Sequence, residues 1–269
     1  MSQIRKALER AKAEKCFHEV VERPLDKDVE KEEGVDEEIC YTRTSVIDIP
    51  EDRLLRNRIV AMKEDDPATD QFKLLRTHVF QQTRSKGWNT IQVTGFGGSD
   101  GKSMVAVNLA ISIAKDTRQT TLLADMDFRN PCVHRLLGLD PDVRGLKSHL
   151  LDGVPLNQLF ISPGIKKLTV LAAGGRIPNA TEILGSPRME ALVRELKQRY
   201  DDRYIILDTP GISVCPDPLV ISEYVDAILL VARMDKTSQA NIKTALDRLP
   251  REKILGIVAN GVDPEEITG

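Results

Sequence analysis

The residues whose types and spacing could do chemistry lie in three short stretches. The first, "VTGFGGSDGKSM" from Val93 to Met104, places Gly95, Gly97, Gly98 and Gly101 ahead of Lys102 and Ser103. Glycines let a backbone turn tightly enough for its N–H groups to surround phosphate oxygens. A helix starting at Lys102 would add free N–H groups and the positive end of its dipole. In that arrangement Lys102 gives a point charge to the β- and γ-phosphates, and the Ser103 hydroxyl sits on Mg²⁺. The run Gly97, Gly98, Ser99, Asp100, Gly101, Lys102, Ser103 and Met104 is the expected set of phosphate-side contacts. One position departs from the usual spacing: a glycine normally stands where this chain has Phe96.

The second stretch, "TTLLADMDFRNP", carries Asp125 and Asp127, followed by Arg129 and Pro131. The third, "YIILDTPG", ends an apolar run on Asp208. In phosphate-loop proteins a carboxylate so placed holds a metal-bound water, and a strand-end carboxylate buried without a cation is costly. Asp and Gly after a strand are also common turn and cap residues, so one such stretch alone decides nothing. All three in order, together with the lysine, point to a nucleotide site. Lys102, Asp125, Asp127 and Asp208 are its candidate charged groups. The last apolar run leads into "VANGVD", where Asn260 and Asp263 have no lysine between them in a guanine-reading arrangement. That favours ATP, with Asn260 as a further nucleotide contact.

The elements that must hold these stretches can be read from periodicity. "NTIQVTG", "TTLLAD", "LTVLAAG", "YIILD", "DAILLVAR" and "KILGIVAN" read as strands. Between them "ATDQFKLLRTHVFQQTRSK", "KSMVAVNLAISIAK", "PRMEALVRELKQRY" and "SQANIKTALDRL" read as helices. Strands that are apolar throughout and separated by helices predict an α/β, doubly wound, mainly parallel sheet covered on both faces. Its ligand crevice is expected at the carboxyl ends of the strands.

Composition bounds the rest. The chain has 269 residues, 41% hydrophobic and 29% charged, with a net charge of −3, so nothing pulls it as a whole to nucleic acid or anionic membrane. Aromatics at 4% argue against a stacking platform for single strands. The opening "MSQIRKALERAKAEK" has no apolar leader, and "AILLVA" is far short of the ~20 residues of a membrane span. Cys16, Cys40, Cys132 and Cys215 fall at no metal or disulfide spacing, and neither do the histidines. A cytoplasmic protein with reduced, structural thiols is expected. Residues 1–15 hold five Lys/Arg against two Glu, whereas residues 16–40 hold three Lys/Arg against ten Asp/Glu. Residues 1–50 therefore read as a basic helix plus an acidic linker, and 51–269 as the nucleotide-binding domain.

These motifs resemble those of the bacterial tyrosine kinases of capsule and exopolysaccharide synthesis, over roughly residues 54–263 and again in the opening "MSQIRKALERAKAE". "GKS", "LLADMDFRNP" and "IILDTP" match the family's three nucleotide motifs, while "VHRLLGL", "GLKSHLLDG" and "PNATEILGSPRMEALVRELKQRYD" resemble its intervening segments. The resemblance implies that Lys102 and Ser103 hold phosphates and Mg²⁺. It makes Asp125 a metal ligand that helps activate the attacking hydroxyl, with Asp127 beside it and Asp208 as the second metal-side carboxylate. It also implies a membrane-embedded chain-length or export partner at the inner face of the membrane. Ring assembly would run through Asp70, Lys73 and Arg76, whose spacing of three sets them along one helical face; a merely solvated charged face has the same pattern.

Three departures stand out. The family's C-terminal tyrosine cluster is absent, since the chain ends "NGVDPEEITG" and its tyrosines are Tyr41, Tyr200, Tyr204 and Tyr224. Met104 replaces a customary hydroxyl, and Gly211 a proline. Of the four tyrosines, Tyr41 is expected to be the one outside the core and so the reachable acceptor. Two other readings fit the same fold: a nucleotide-sensing interaction module without catalysis, and a positioning ATPase of the septum and chromosome-partition type. The latter generally carries a second lysine where this chain has Gly97.

Overall fold

The computed structural model describes residues 45–198 and 202–262. The basic helix and most of the acidic linker expected at the start, together with Cys16, Cys40, Tyr41, Tyr200 and Asp263, lie outside the described residues. All six apolar runs become strands: β2 (Thr90–Gly95), β3 (Thr120–Asp125), β5 (Leu168–Leu171), β6 (Arg203–Gly211), β7 (Ala227–Arg233) and β8 (Ile254–Asn260). Two two-residue strands, β1 (Ser45–Val46) and β4 (Ile161–Ser162), are too short to leave a periodic signal. With β1 the sheet begins ahead of residue 51. The strand order is β1-β4-β5-β3-β6-β2-β7-β8, parallel throughout except where β4 runs against β5.

The alternation of side chains shows why the strands are apolar at every position. In β3, Leu122 and Ala124 join one core cluster and Leu123 the other; in β7, Ile228 and Leu230 face one way, Leu229 and Val231 the other. Helices cover both faces, as a doubly wound sheet requires. The four expected helices form as α2 (Pro67–Thr83), α3 (Lys102–Ala114), α7 (Pro187–Gln198) and α9 (Gln239–Arg248). Five of five to seven residues join them: α1 (Glu51–Arg56), α4 (Val133–Leu137), α5 (Leu146–Asp152), α6 (Ala180–Leu184) and α8 (Asp217–Ser222). Asp66 caps α2 by accepting from the Ala68 N–H, with Pro67 in the first turn. Every residue of α3 except Met104 is buried. Inside it Asn108 accepts from the Val60 and Ala61 N–H groups and donates to Arg58 and Met104 carbonyls, tying the 58–61 segment to the helix.

Topology brings the three motifs together. β6 lies between β3 and β2, and in register Asp208 sits opposite Asp125 on one side and Val93 on the other. Stretches 32 and 83 residues apart in sequence thus meet at one height on three adjacent strands, as the numbering of Val93, Asp125 and Asp208 shows.

Phe96 explains its own departure from the motif. Its ring is 2% exposed and lies in the cluster with Leu122, Leu207 and Ile212, on the face opposite α3. The loop is therefore pinned through the sheet edge by an apolar anchor where other loops carry glycine. Phe96→Gly, which restores the common spacing, should cost about 3–5 kcal/mol, as removal of a buried aromatic side chain does. Urea unfolding measures it; a variant as stable as the parent would refute the anchor.

Candidate nucleotide site

The loop from Phe96 to Gly101 is braced from several sides. Gly95 and Phe96 carbonyls accept from the Ile212 and Ser213 N–H groups at 2.9 and 3.2 Å, and the Ser213 hydroxyl also donates to Phe96. The Asp100 carboxylate turns back on its own loop and accepts from the Gly97 N–H at 2.5 Å. Asn260, at the end of β8, donates from Nδ2 to the Asp100 carbonyl at 2.7 Å. Two glycines permit this packing. Gly101 has φ +84°, and a Cβ there would lie 2.0 Å from Asn260 Nδ2; a Cβ on Gly211 would lie 2.2 Å from the Gly97 carbonyl oxygen. Gly211 stands in place of a proline because the loop passes directly over it.

These contacts refine two sequence expectations. The Asp100 side chain is spent on the loop, leaving its backbone to face a ligand, and the Asn260 amide nitrogen is spent on Asp100. Gly98 and Ser99 are exposed at the loop's tip, while Gly97, Gly101 and Met104 are half-buried. Lys102 and Ser103 are both buried at the first turn of α3.

Beside them stand the carboxylates. Asp125 and Asp208 are 0% exposed, and Asp127 is 5% exposed. Asp125 is well supplied: Oδ1 accepts from the Asp127 N–H at 3.1 Å, and Oδ2 from the Cys132 and Val133 N–H groups at 3.0 Å each. Burial nevertheless pushes its pKa up to about 7, the three backbone donors and the Asp127 charge being smaller influences. Asp208 is supplied much less. Neither of its carboxylate oxygens has a hydrogen bond of good geometry. Burial and then the Asp125 charge raise its pKa well above the carboxylate range, against the pull of the Ser103 hydroxyl and the Lys102 ammonium.

Two neighbouring buried carboxylates, one with orphaned oxygens, beside a serine hydroxyl and a lysine, are a donor set fitted to a hard divalent cation. Among the described residues no three His, Cys, Asp or Glu side chains form a metal cage. A cation here would draw on Ser103, Asp125 and Asp208, with further oxygens from water and phosphate, as Mg²⁺ sites with substrate phosphates do. Asp127 accepts from the Asn130 N–H at 2.8 Å and closes the turn after β3.

Several residues of the site carry no sequence signal. Arg129 grips the buried Asp217 with two bonds, Nε to Oδ2 at 2.8 Å and Nη2 to Oδ1 at 3.0 Å. Thr181 donates to Asp217 and accepts from Arg129, so the loop after β3 is cross-linked to the first turns of α6 and α8. Burial works to raise the Asp217 pKa, but the Arg129 and Thr181 hydrogen bonds outweigh it and hold the carboxyl below its usual range. Cys132 lies among Ser103 and the three aspartates; burial first, then the charges of Asp208 and Asp125, push its thiol up to about 12. Cys215, beside Asp217, is pushed to about 11, chiefly by burial. Both stay protonated, in keeping with structural thiols. Away from the crevice, Lys73 pairs with Asp70 at 2.8 Å on the exposed face of α2, and Arg76 donates to the Ser112 carbonyl of α3 at 2.7 Å.

The comparisons with known proteins agree with this geometry. Residues 91–268 match the CobQ/CobB/MinD/ParA nucleotide binding domain family. The tyrosine-protein kinase YwqD of Bacillus subtilis is 31% identical over 211 residues, covering 78% of this chain and 87% of the relative. The chain belongs to the bacterial tyrosine-protein kinase family. Within the family, the tyrosine-protein kinase ptk of Acinetobacter johnsonii is 28% identical over 76% of this chain, which spans 28% of that longer protein. The kinase domain of Escherichia coli tyrosine kinase ETK superposes with a TM-score of 0.71 at 27% identity, over 81% of this chain and 89% of that one.

The raised pKa of Asp125 fixes the sign of a pH effect. Moving from the ordinary 3.8 to about 7, the folded protein holds a proton that the unfolded chain has lost. Stability therefore falls as pH rises through that window. Asp208 acts in the same direction, and the lowered pKa of His134, due mainly to burial, opposes them near neutrality. Without divalent cations the melting temperature should be lower at pH 8 than at pH 6, with the slope reduced in Asp125→Asn, and Mg²⁺ alone should raise it more at pH 8. Thermal unfolding that shows a rise toward pH 8, or an Mg²⁺ effect equal at both pH values, would contradict the assignment.

Proposed function

We propose that the protein binds Mg²⁺-ATP and transfers its γ-phosphoryl group to a tyrosine hydroxyl, or to water, in the regulation of exopolysaccharide polymerisation and export. The observation that carries this reading is the Asp125–Asp208 pair at the first turn of α3, where burial disfavours two charges unless a cation joins them. The family to which the chain belongs, and the kinases it resembles, support the same chemistry. Lys102 and the loop N–H groups would hold the phosphates; Ser103, Asp125 and Asp208 would hold Mg²⁺. The metal, when bound, would offset charge on the transferred phosphoryl group.

The protein's own part is mostly positioning, because phosphoryl transfer needs little covalent help. The acceptor oxygen bonds to the γ-phosphorus as the bond to the bridging oxygen breaks, its electron pair leaving with ADP. The acceptor's proton would pass to the Asp125 carboxylate, with Asp127 beside it. In this reading the protein acts in the cytoplasm at the inner face of the membrane, with a membrane-embedded chain-length or export protein whose cytoplasmic segment completes the site. Among the described residues no helix is long and apolar enough to cross a membrane. A homo-oligomer through Asp70, Lys73 and Arg76 would draw on the exposed Asp70–Lys73 pair and would compete with the bond from Arg76 to Ser112.

The described tyrosines are poor acceptors. Tyr204 is 4% exposed within β6 and shares a hydrogen bond with Thr83, and Tyr224 packs against the core. Incubation with Mg²⁺ and labelled ATP, alone and with the partner's cytoplasmic segment, should therefore place phosphate on Tyr41. Lys102→Ala should reduce the label at least about tenfold, since charge-assisted phosphate contacts are strong. Mass spectrometry that finds phosphate on Tyr200, Tyr204 or Tyr224, or labelling unchanged in Lys102→Ala, would count against the proposal.

A further inference from the structure

The strand order divides the crevice into two sides. The phosphate loop follows β2, and Asn260 braces it from β8, so the nucleotide contacts lie on the β2–β7–β8 side of the aspartates. Between the two sides, Asp125 ends β3 and Asp208 stands level with it in β6. With the nucleotide on that side, an acceptor in line with the leaving group would approach from the other, past β3 toward β5.

Two unpaired cations stand there. The loop after β5 packs on the loop after β3: the Ile177 N–H donates to the Phe128 carbonyl at 3.1 Å. Arg176 reaches Asn130 Oδ1 at 3.4 Å, and Asn130 in turn donates its N–H to Asp127 at 2.8 Å. Lys147 is held against the same loop by its N–H to the Ala173 carbonyl at 2.8 Å, with its Nζ 3.8 Å from where a Cβ on Gly175 would lie. That approach is possible because Gly145 has no side chain; a Cβ would sit 2.0 Å from the Ala172 carbonyl oxygen. Neither Lys147 nor Arg176 forms an ion pair among the described residues. The nearby Arg129 differs, being neutralised by Asp217.

We infer that Lys147 and Arg176 form an acceptor-binding rim that selects tyrosines preceded by acidic residues. This inference rests on the tyrosine-phosphorylating reading above and names the substrate class of that same site. Opposite charge at such a rim steers and orients a peptide more than it anchors it. The chain itself contains a sequence of this chemistry, "VDEEICYTRT", with Tyr41 three residues after Glu38.

The direction of β1 suits that segment. Ser45 lies level with Ile161, Val170 and Leu123, two residues short of Asp125. Because β1 runs with β4 and against β5, its first residue, Ser45, is at its crevice-side end. Tyr41 is four residues ahead, a reach of ~14 Å at ~3.5 Å per residue. β1 and β3 are three strand spacings apart, which is also ~14 Å.

Fluorescence anisotropy on the full chain tests the rim without requiring turnover. The probes are labelled peptides of residues 35–44 in three forms: as written, with Asp36, Glu37 and Glu38 replaced by amides, and with the same three replaced by lysines. The protein should bind the acidic peptide about five- to tenfold more tightly than the neutral one at low salt, as two exposed ion pairs warrant. Lys147→Glu with Arg176→Glu should reverse the order in favour of the lysine peptide; thermal unfolding checks that this variant is folded, and Lys147→Gln with Arg176→Gln, which should abolish the preference, stands in if it is not. Equal binding of the three peptides by the parent, or an acidic preference that survives in the folded variant, would overturn the inference. Failure of the tyrosine-phosphorylating reading is distinguishable, because it would leave the peptide preference intact while labelled ATP put no phosphate on any peptide.

Discussion

Two carboxylates buried side by side are the constraint on which the site depends. Parallel pairing of β3 with β6 sets Asp125 opposite Asp208, and helices on both faces keep water from either. Asp125 is compensated by three backbone N–H groups, whereas Asp208 keeps two oxygens without a good hydrogen bond. A buried charge without a partner is among the costliest features a fold can hold. In the proposed reading the arrangement would lower the stability of the protein alone and raise its affinity for a cation, as binding sites commonly trade stability for function.

The loop above the pair shows the opposite economy, being braced by its neighbours from several sides. Asp100, Asn260, Ile212 and Ser213 hold it by hydrogen bonds, and Phe96 holds it by burial. Gly101 and Gly211 are needed for the close approach of Asn260 and of Gly97, and not for flexibility. The cradle is thus shaped before a nucleotide arrives, and little ordering remains to oppose binding. A rigid cradle beside an under-compensated carboxylate pair is the division of labour seen in the site: one part positions, the other attracts.

Much of this was legible in the sequence, and what was not has physical reasons. Six apolar runs announce six strands: five are buried almost throughout, and β8, at the sheet edge beside β7, keeps an apolar run although it is partly exposed; β1 and β4, at two residues each, have no period to read. Lys102 and Ser103 are recognisable because they open a helix and Asp125 because it ends a strand, whereas β6 runs three residues past Asp208, to Gly211, where the sequence had suggested a strand end. Asp217 and Thr181 lie 88 and 52 residues from Arg129, and only the folded crevice brings them together. The role of Gly211 depends on which backbone passes over it, and that of Asp100 on which way its side chain turns. Asp70, Lys73 and Arg76 share a spacing but not a fate, because α3 presents a carbonyl to Arg76 and none to Lys73.

If the pair is held for a cation at the expense of stability, neutralising one member should relieve the protein when no cation is present. The direct measurement is the thermal unfolding of Asp208→Asn at pH 8 in a chelator. Asparagine keeps the shape, removes the like charge beside Asp125, and brings an amide that can donate to it. The variant should melt at a higher temperature than the parent and should gain nothing from Mg²⁺. A variant that melts at the same or a lower temperature, or that is still stabilised by Mg²⁺ as the parent is, would contradict the account.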